Sequence, residues 1–427
     1  MREPGSPCDD ALAALYGADE AVLARQRERL SSLLREFEEA YGGKARPAVY
    51  SAPGRVELCG NHTDHNNGVV LAAAISQDVL AVAARNDGRV IRLRSRGFGD
   101  EIAVDLERLE PDPGEAGRSA ALVRGVAAAI RERGGQVGGL DVCMASDVLK
   151  GSGLSSSAAF EVCVGAILDG EYNGGRFDAP TLALMGQRAE NVFFGKPCGV
   201  MDQLACAVGG VVAIDLHDPS APVLARVPLD LRAHGLHLVV TDTGGDHSGL
   251  TDDYAAIRRE MESVAAFFGQ SCLREVPYGR FRGELAAVRR AAGDRATVRA
   301  LHFFEECRRV REAVAAARGG DMPRFLALIA ECGHSSVEFN QNAYSLKKPG
   351  EQGIPLALAL SGAVLGDRGA CRLQGGGFAG TVQAFVPDGL FEEYRSAMSG
   401  LFGADACREL RLRERGAVRL DIRPDAA

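Results

Sequence analysis

Residues 150–159, Lys-Gly-Ser-Gly-Leu-Ser-Ser-Ser-Ala-Ala, place the tightest constraint on how this chain can fold. Before them, residues 140–148 carry Leu140, Val142 and Met144 on one face, and this alternation predicts a strand. After them, a strongly apolar stretch from about Ser156 to Leu168 predicts a helix. Gly151 and Gly153 let backbone N–H groups point inward with no Cβ in the way. The helix N-terminus adds the positive end of its dipole. Ser155, Ser156 and Ser157 offer hydroxyls to phosphate oxygens or to Mg2+. A polyphosphate fits this chemistry. A serine-capped helix after a tight turn fits equally well on these ten residues alone. There is no GxxxxGK[ST] loop, and the third glycine of a dinucleotide fingerprint is missing.

Two further loops have the same character. Residues 53–68 read Pro-Gly-Arg-Val-Glu-Leu-Cys-Gly-Asn-His-Thr-Asp-His-Asn-Asn-Gly, a polar loop between apolar segments. A metal site through His62, Asp64 and His65 is disfavoured, because no further His/Cys cluster completes it. Mixed donors and acceptors suit a polyol better. The third loop, Gly375-Gly376-Gly377-Phe378-Ala379-Gly380-Thr381, lies between predicted strands. It allows a close approach to a ligand, or it is a bulged hairpin.

Composition bounds the rest. The chain has 427 residues, 46% hydrophobic and 25% charged, enough for two or three packed domains. A net charge of −8 argues against a general nucleic-acid binder. Glycine occurs 52 times with no Gly-X-Y period, which excludes collagen and points to the turns. Eleven cysteines, odd in number and without paired CxxC motifs, read as buried free thiols in a reducing compartment. The N-terminal residues lack a signal pattern, and no apolar run reaches the length of a membrane span. A cytoplasmic protein with no membrane partner is expected.

Along the chain, Leu23, Leu30, Leu33, Leu34 and Phe37 predict a helix over 20–41 that Gly42-Gly43 stops. Strands are expected at 47–58, 90–106, 208–214, 236–242, 371–374 and 381–386, and at 69–75, where a buried strand fits but the pattern alone does not separate it from a buried helix. Helices are expected at 119–133, 181–195 and through much of 251–334. A Pro- and Asp-rich stretch near 220–235 marks a domain boundary, giving an N-terminal domain over residues 1–230 and a C-terminal domain over residues 231–427.

The three loops in this order resemble those of the GHMP kinases. PGRVELCGNHTDHNNG is similar to the galactokinase signature GRxNLIGEHTDYNxG. Lys196-Pro-Cys-Gly-Val-Met-Asp-Gln203 and Asp253-Tyr254 are similar to further galactokinase motifs. The resemblance runs from about residue 20 to 386. It implies a two-domain α+β GHMP kinase fold, with a ribosomal-protein-S5-like N-terminal domain and a ferredoxin-like C-terminal domain. It implies phosphorylation of a sugar at C1 by MgATP, with Asp202 facing the anomeric hydroxyl and Arg55 neutralising the transferred group and keeping Asp202 ionised. It assigns the phosphates of ATP to Gly151, Ser152, Gly153, Leu154, Ser155, Ser156, Ser157 and Ala158. Mg2+ falls to Ser157 and Glu190, and the sugar to His62, Asp64, Asn61, Gly199 and Tyr254. A monomer is implied by the resemblance alone.

The chain departs from the signature at Asn61, where the family has Glu, at Glu57 for Asn and at His65 for Tyr. The phosphate loop opens with Leu149-Lys150 instead of proline. The resemblance implies that the missing Glu would bond the sugar C6 hydroxyl. Exchanging it for Asn costs galactose on the order of 1 kcal/mol, whereas a Glu would repel a C6 carboxylate by about 4 kcal/mol at 4 Å. A kinase of a C6-modified galactose such as galacturonate is therefore the runner-up. A non-catalytic sugar and ATP sensor is disfavoured, because the phosphate loop, Arg55 and Asp202 are all present. A mevalonate-kinase-like enzyme is disfavoured because the 60–68 loop offers no Arg or Lys to an acid.

Overall fold

Two long neighbouring strands set the frame of the computed structural model, which describes residues 7–42, 47–148, 153–245 and 249–422. They are β1 (Ala48–Cys59) and β2 (Val69–Arg85), paired antiparallel. β2 is buried on both faces almost throughout. This explains why Val69 to Ile75 reads as an unbroken apolar run instead of an alternating one. Its first half pairs with β6 (Val211–Asp215) and its second half with β5 (Leu140–Ser146). The sheet continues through β3 (Val90–Ser95), parallel to β5, and β4 (Ile102–Asp105); β7 (Val223–Arg226) extends it beside β6.

Helices cover both faces of this sheet. Helices Ser119–Glu132, Ser156–Tyr172, Ala179–Arg188 and Met201–Val208 bury their apolar sides against one face. Helices Pro7–Tyr16 and Glu20–Tyr41 cover the other through Leu12, Leu30, Leu33 and Phe37. The second of these opens with Asp19, whose carboxylate accepts from the amide of Val22, and closes at Gly42, where φ is 76°. Its Arg29 reaches through the layer to the buried Asp78, which also binds Arg413, Tyr16 and Ser51.

A second, antiparallel sheet is formed by β8 (Leu236–Asp242), β9 (Ala370–Leu373), β10 (Thr381–Pro387) and β11 (Cys407–Leu410), in the order β11-β8-β10-β9. Helices Thr251–Phe267, Asp294–Gly319 and Met322–Ser335 lie between β8 and β9 in the chain. The expected boundary near 220–235 falls where the chain leaves β7 for β8. The last described strand, β12 (Val418–Leu420), returns to the first sheet and pairs with β1. Among the described residues no helix is long and apolar enough to cross a membrane. All eleven cysteines are free, and most are buried.

Candidate active site

Arg55 and Asp202 lie 147 residues apart in the chain and meet in the structure. The register of β1 against β2 shifts between Pro53 and Arg55, an irregularity of the kind that re-aims a side chain. The almost fully buried Arg55 points at Asp202 in the first turn of helix Met201–Val208. Its Nε and Nη2 lie 2.8 and 2.7 Å from Asp202 Oδ1. Its Nη1 donates to the carbonyl of Gly153, and its amide donates to the carbonyl of Leu154 at 3.1 Å. Ser155 donates its hydroxyl to Asp202 Oδ2. Burial alone would raise the Asp202 pKa, but the Arg55 charge, the Ser155 hydroxyl and then Lys196 outweigh it and hold the carboxyl below its ordinary range. Asp202 keeps a third of its side chain exposed, so solvent reaches this carboxylate.

The turn before helix Ser156–Tyr172 is described from Gly153 onward. Gly153 and Ser155 both adopt left-handed φ, 66° and 59°. Leu154 and Ala158 are buried beneath the turn, while Ser156 and Ser157 are half-buried at the helix N-terminus. Gly151 and Ser152, with Leu149 and Lys150, lie outside the described residues. Ser155, read from the loop as a hydroxyl for phosphate oxygens or Mg2+, turns toward Asp202.

The glycine turn after β9 closes over this loop. Gln374 Nε2 donates to the Gly153 carbonyl at 3.1 Å, and a Cβ on Gly375 would stand 3.3 Å from Gly153 Cα. Tyr254 lies on the same turn. Its hydroxyl donates to the Gly377 carbonyl at 2.8 Å, and its ring meets Phe378 edge-on at 5.2 Å.

The 60–68 loop packs against the same glycine turn. His62, in a left-handed conformation, contacts the Gly376 carbonyl through Nε2 at 2.9 Å and His65 through Nδ1 at 3.1 Å. Burial drives the His62 pKa down to about 4, so the ring is neutral at pH 7. Asp64 sits against Gly199, where a Cβ would lie 2.1 Å from its Oδ2. Burial first, then the Asp202 and Glu57 carboxylates, push Asp64 up to about 7. Two neighbouring carboxyls are thus set apart, Asp202 ionised and Asp64 ready to take a proton.

Asn61 is almost fully buried. Its Nδ2 donates to the Gly375 carbonyl at 2.8 Å and to Glu57 Oε1 at 3.2 Å. Its Oδ1 accepts from Asn342 Nδ2 at 2.9 Å, and from Asn340 and Ser336 at 3.4 Å. Beneath it, Glu57 pairs with Arg372 at 2.5 Å.

Ser157 and Glu190 also come together, Oγ to Oε1 at 3.2 Å. Glu190 stands in the π-helical turn Ala189–Phe194 and is buried. Lys196 Nζ lies 2.9 Å from the same oxygen, and Gln203 Nε2 bridges Glu190 Oε2 at 2.9 Å and Glu161 Oε2 at 3.0 Å. Burial and then the Glu190 charge push the Glu161 pKa far up. Hard oxygens from Ser157 and Glu190 are a donor set that suits Mg2+. Sequence reasoning misses the roles of Lys196 and Glu161. Lys196 stands inside the 196–203 motif, and its distance of six residues from Glu190 is the available signal.

The chain is similar to known proteins in sequence and in fold. The family model for the galactokinase galactose-binding signature matches residues 35–85, and that for the GHMP kinases N terminal domain matches residues 121–210. The chain is 35% identical over 383 residues to a galactokinase of Streptomyces coelicolor, covering 88% of this chain and 94% of that one. It is 35% identical over 364 residues to a galactokinase of Actinobacillus pleuropneumoniae, covering 84% and 90%. The crystal structure of Lactococcus lactis galactokinase complexed with galactose superposes with a TM-score of 0.79 at 23% identity, over 92% of this chain and 100% of that one. Methanococcus jannaschii mevalonate kinase superposes at 0.60 with 14% identity, over 87% and 99%. The two structural likenesses speak for a shared fold.

Proposed function

This chain belongs to the galactokinase family of GHMP kinases, and from that premise we propose that it transfers the γ-phosphoryl group of ATP to the C1 hydroxyl of galactose, giving galactose 1-phosphate and ADP. The observation that carries the reading is the Arg55–Asp202 pair, held at 2.7–2.8 Å beside the phosphate-loop helix. Asp202 accepts the hydrogen bond of the C1 hydroxyl and aims its oxygen at the γ-phosphorus. With its pKa depressed, Asp202 is a weak base toward a free alcohol. The proton therefore moves as the new P–O bond forms and the hydroxyl becomes acidic. Arg55 neutralises Asp202 while its Nη1 rests on the Gly153 carbonyl at the lip of the phosphate loop. From there it also faces the charge spreading over the transferred group.

Sugar recognition falls to Asp64, which can accept from two vicinal hydroxyls such as the C3/C4 pair, with His62, Gly199 and Tyr254 around it. Ser157 and Glu190 would hold Mg2+, which when bound neutralises the phosphates of ATP. Residues 1–230 carry the sugar loop, phosphate loop and Asp202, and residues 231–427 carry the glycine turn; the start of the second sheet at β8 supports this division. Family likeness suggests a monomer, and eleven free thiols suit the cytoplasm.

The C6-carboxylate alternative gains no support from Asn61. Both ends of its amide are taken by protein partners, and the nearby Arg372 cation is neutralised by Glu57. Incubation with ATP and, in turn, galactose, galactosamine, galacturonate, arabinose and glucose tests the proposal. ADP release should have its highest kcat/KM with galactose, and phosphorus NMR should show a C1 phosphate. A preference for galacturonate, or ATP turnover with none of the five sugars, refutes it.

A further inference from the structure

Cys59, Glu306 and Cys332 come from three separate elements: the end of β1, helix Asp294–Gly319 and helix Met322–Ser335. Their ligand atoms all lie within 4.8 Å of one another. Both sulfurs face the same oxygen, Glu306 Oε1, Cys332 Sγ at 2.5 Å and Cys59 Sγ at 3.5 Å. All three side chains are fully buried. None of them contacts Arg55, Asp202, Ser157 or Glu190 through a hydrogen bond or ion pair described above.

We propose that Cys59, Cys332 and Glu306 form a binding site for a zinc-like divalent cation, separate from the hard-oxygen pair at Ser157 and Glu190. Two sulfurs and a carboxylate oxygen are the ligands such an ion selects. With metal–sulfur bonds of about 2.3 Å, tetrahedral ligands stand roughly 3.7 Å apart, and the cluster spans that separation. Charge favours the exchange. The cation displaces one proton from each thiol, both protons leave to solvent, two metal–sulfur bonds form, and the net charge of the pocket is unchanged. Adding two uncompensated charges to so buried a place would be costly.

The surroundings are compatible. Glu306 faces the Arg309 guanidinium on one side and the two thiols on the other. Arg309 occupies Oε2 at 2.8 Å, and the Gly60 amide donates to Oε1 at 2.9 Å, which leaves that oxygen a further lone pair. His302 uses both ring nitrogens, on Ser335 and on the Asn61 carbonyl, so a fourth ligand would come from a small molecule such as water. Cys59 directly precedes the 60–68 loop, and the Cys332 helix runs into Ser336, which binds Asn61. A bound cation would therefore staple the sugar loop to the helical layer.

The test uses full-length protein stripped of metal, with zinc chloride or cobalt chloride added to the folded chain and, separately, during refolding from denaturant. After gel filtration the protein should retain about one metal per chain, with a sulfur-to-cobalt charge-transfer absorption. Cys59→Ser and Cys332→Ser should each weaken retention at least roughly tenfold while their circular dichroism and their galactose turnover with MgATP and no added zinc stay unchanged. Three results overturn the proposal: no retained metal by either route, equal retention by the serine variants, or a Cys59–Cys332 disulfide in place of metal. None of these results bears on the kinase reading.

Discussion

Gly199→Ala adds one methyl group where the sugar loop touches the segment leading to Asp202. Gly199 is not in the left-handed region, so an alanine backbone is unstrained there. The new Cβ would stand 2.1 Å from Asp64 Oδ2 and 2.9 Å from its Cγ. An ordinary contact is about 3.5 Å, so the carboxylate must retreat by more than about 1 Å. It is the end of a short side chain, so rotation relieves the clash at little cost in stability. The hydrogen bonds proposed from Asp64 to the sugar would not survive the move. Each such bond to a charged group contributes about 1.5–3 kcal/mol, so losing one raises KM for galactose roughly ten- to a hundredfold. Steady-state assays at saturating ATP, with thermal melts alongside, measure both sides. The expected result is a higher galactose KM, an unchanged ATP KM and an unchanged melting temperature. An unaltered galactose KM in a folded variant refutes the assignment of Asp64 and Gly199 to the sugar.

Further outcomes follow from two buried carboxyls, Asp64 and Asp78. Asp64 is raised to about 7 in the folded protein, so kcat/KM for galactose should climb with pH through that value. In the same range the folded state holds this proton more tightly than the unfolded chain, so Asp64 makes stability decline as pH rises from about 4 through about 7; urea titrations of Asp64→Asn should lose that decline, and a rate limb centred near pH 4 would contradict the shift. Asp78→Asn removes the charge that faces Arg29 and Arg413 in the core and should cost about 3–5 kcal/mol in urea unfolding, while a loss below about 1 kcal/mol would show that the network is dispensable. Because those two arginines hold the Asp78 pKa down despite burial, its stabilising effect is complete above about pH 4 and fades as acid protonates it.

Much of the site is legible as local pattern. The 150–159 turn stands between alternation of period two and an apolar helix, and the 53–68 and 375–381 loops are dense in glycine and polar groups. Their convergence is not legible, because no local rule connects Arg55 to a carboxylate 147 residues away. Only the motif resemblance suggests it. Asn61 shows a second limit. A polar residue in a polar loop reads as ligand-facing, yet Gly375, Asn340 and Asn342 enclose it from the far end of the chain. The run 69–75 is ambiguous between helix and strand, because β2 is covered on both faces and has lost its alternation. The strand β12 leaves no signal: three residues, Val418–Leu420, gain their extended form from the edge of β1.

The account rests on Asp202 serving as the carboxylate that meets the anomeric hydroxyl. Asp202→Asn keeps the shape of the side chain and its place beside Arg55 and Ser155. Measured side by side, galactose-dependent ADP release by this variant should vanish, while its affinity for ATP, titrated by calorimetry, stays near that of the parent protein. Phosphorylation of galactose at close to the parental rate would contradict the account.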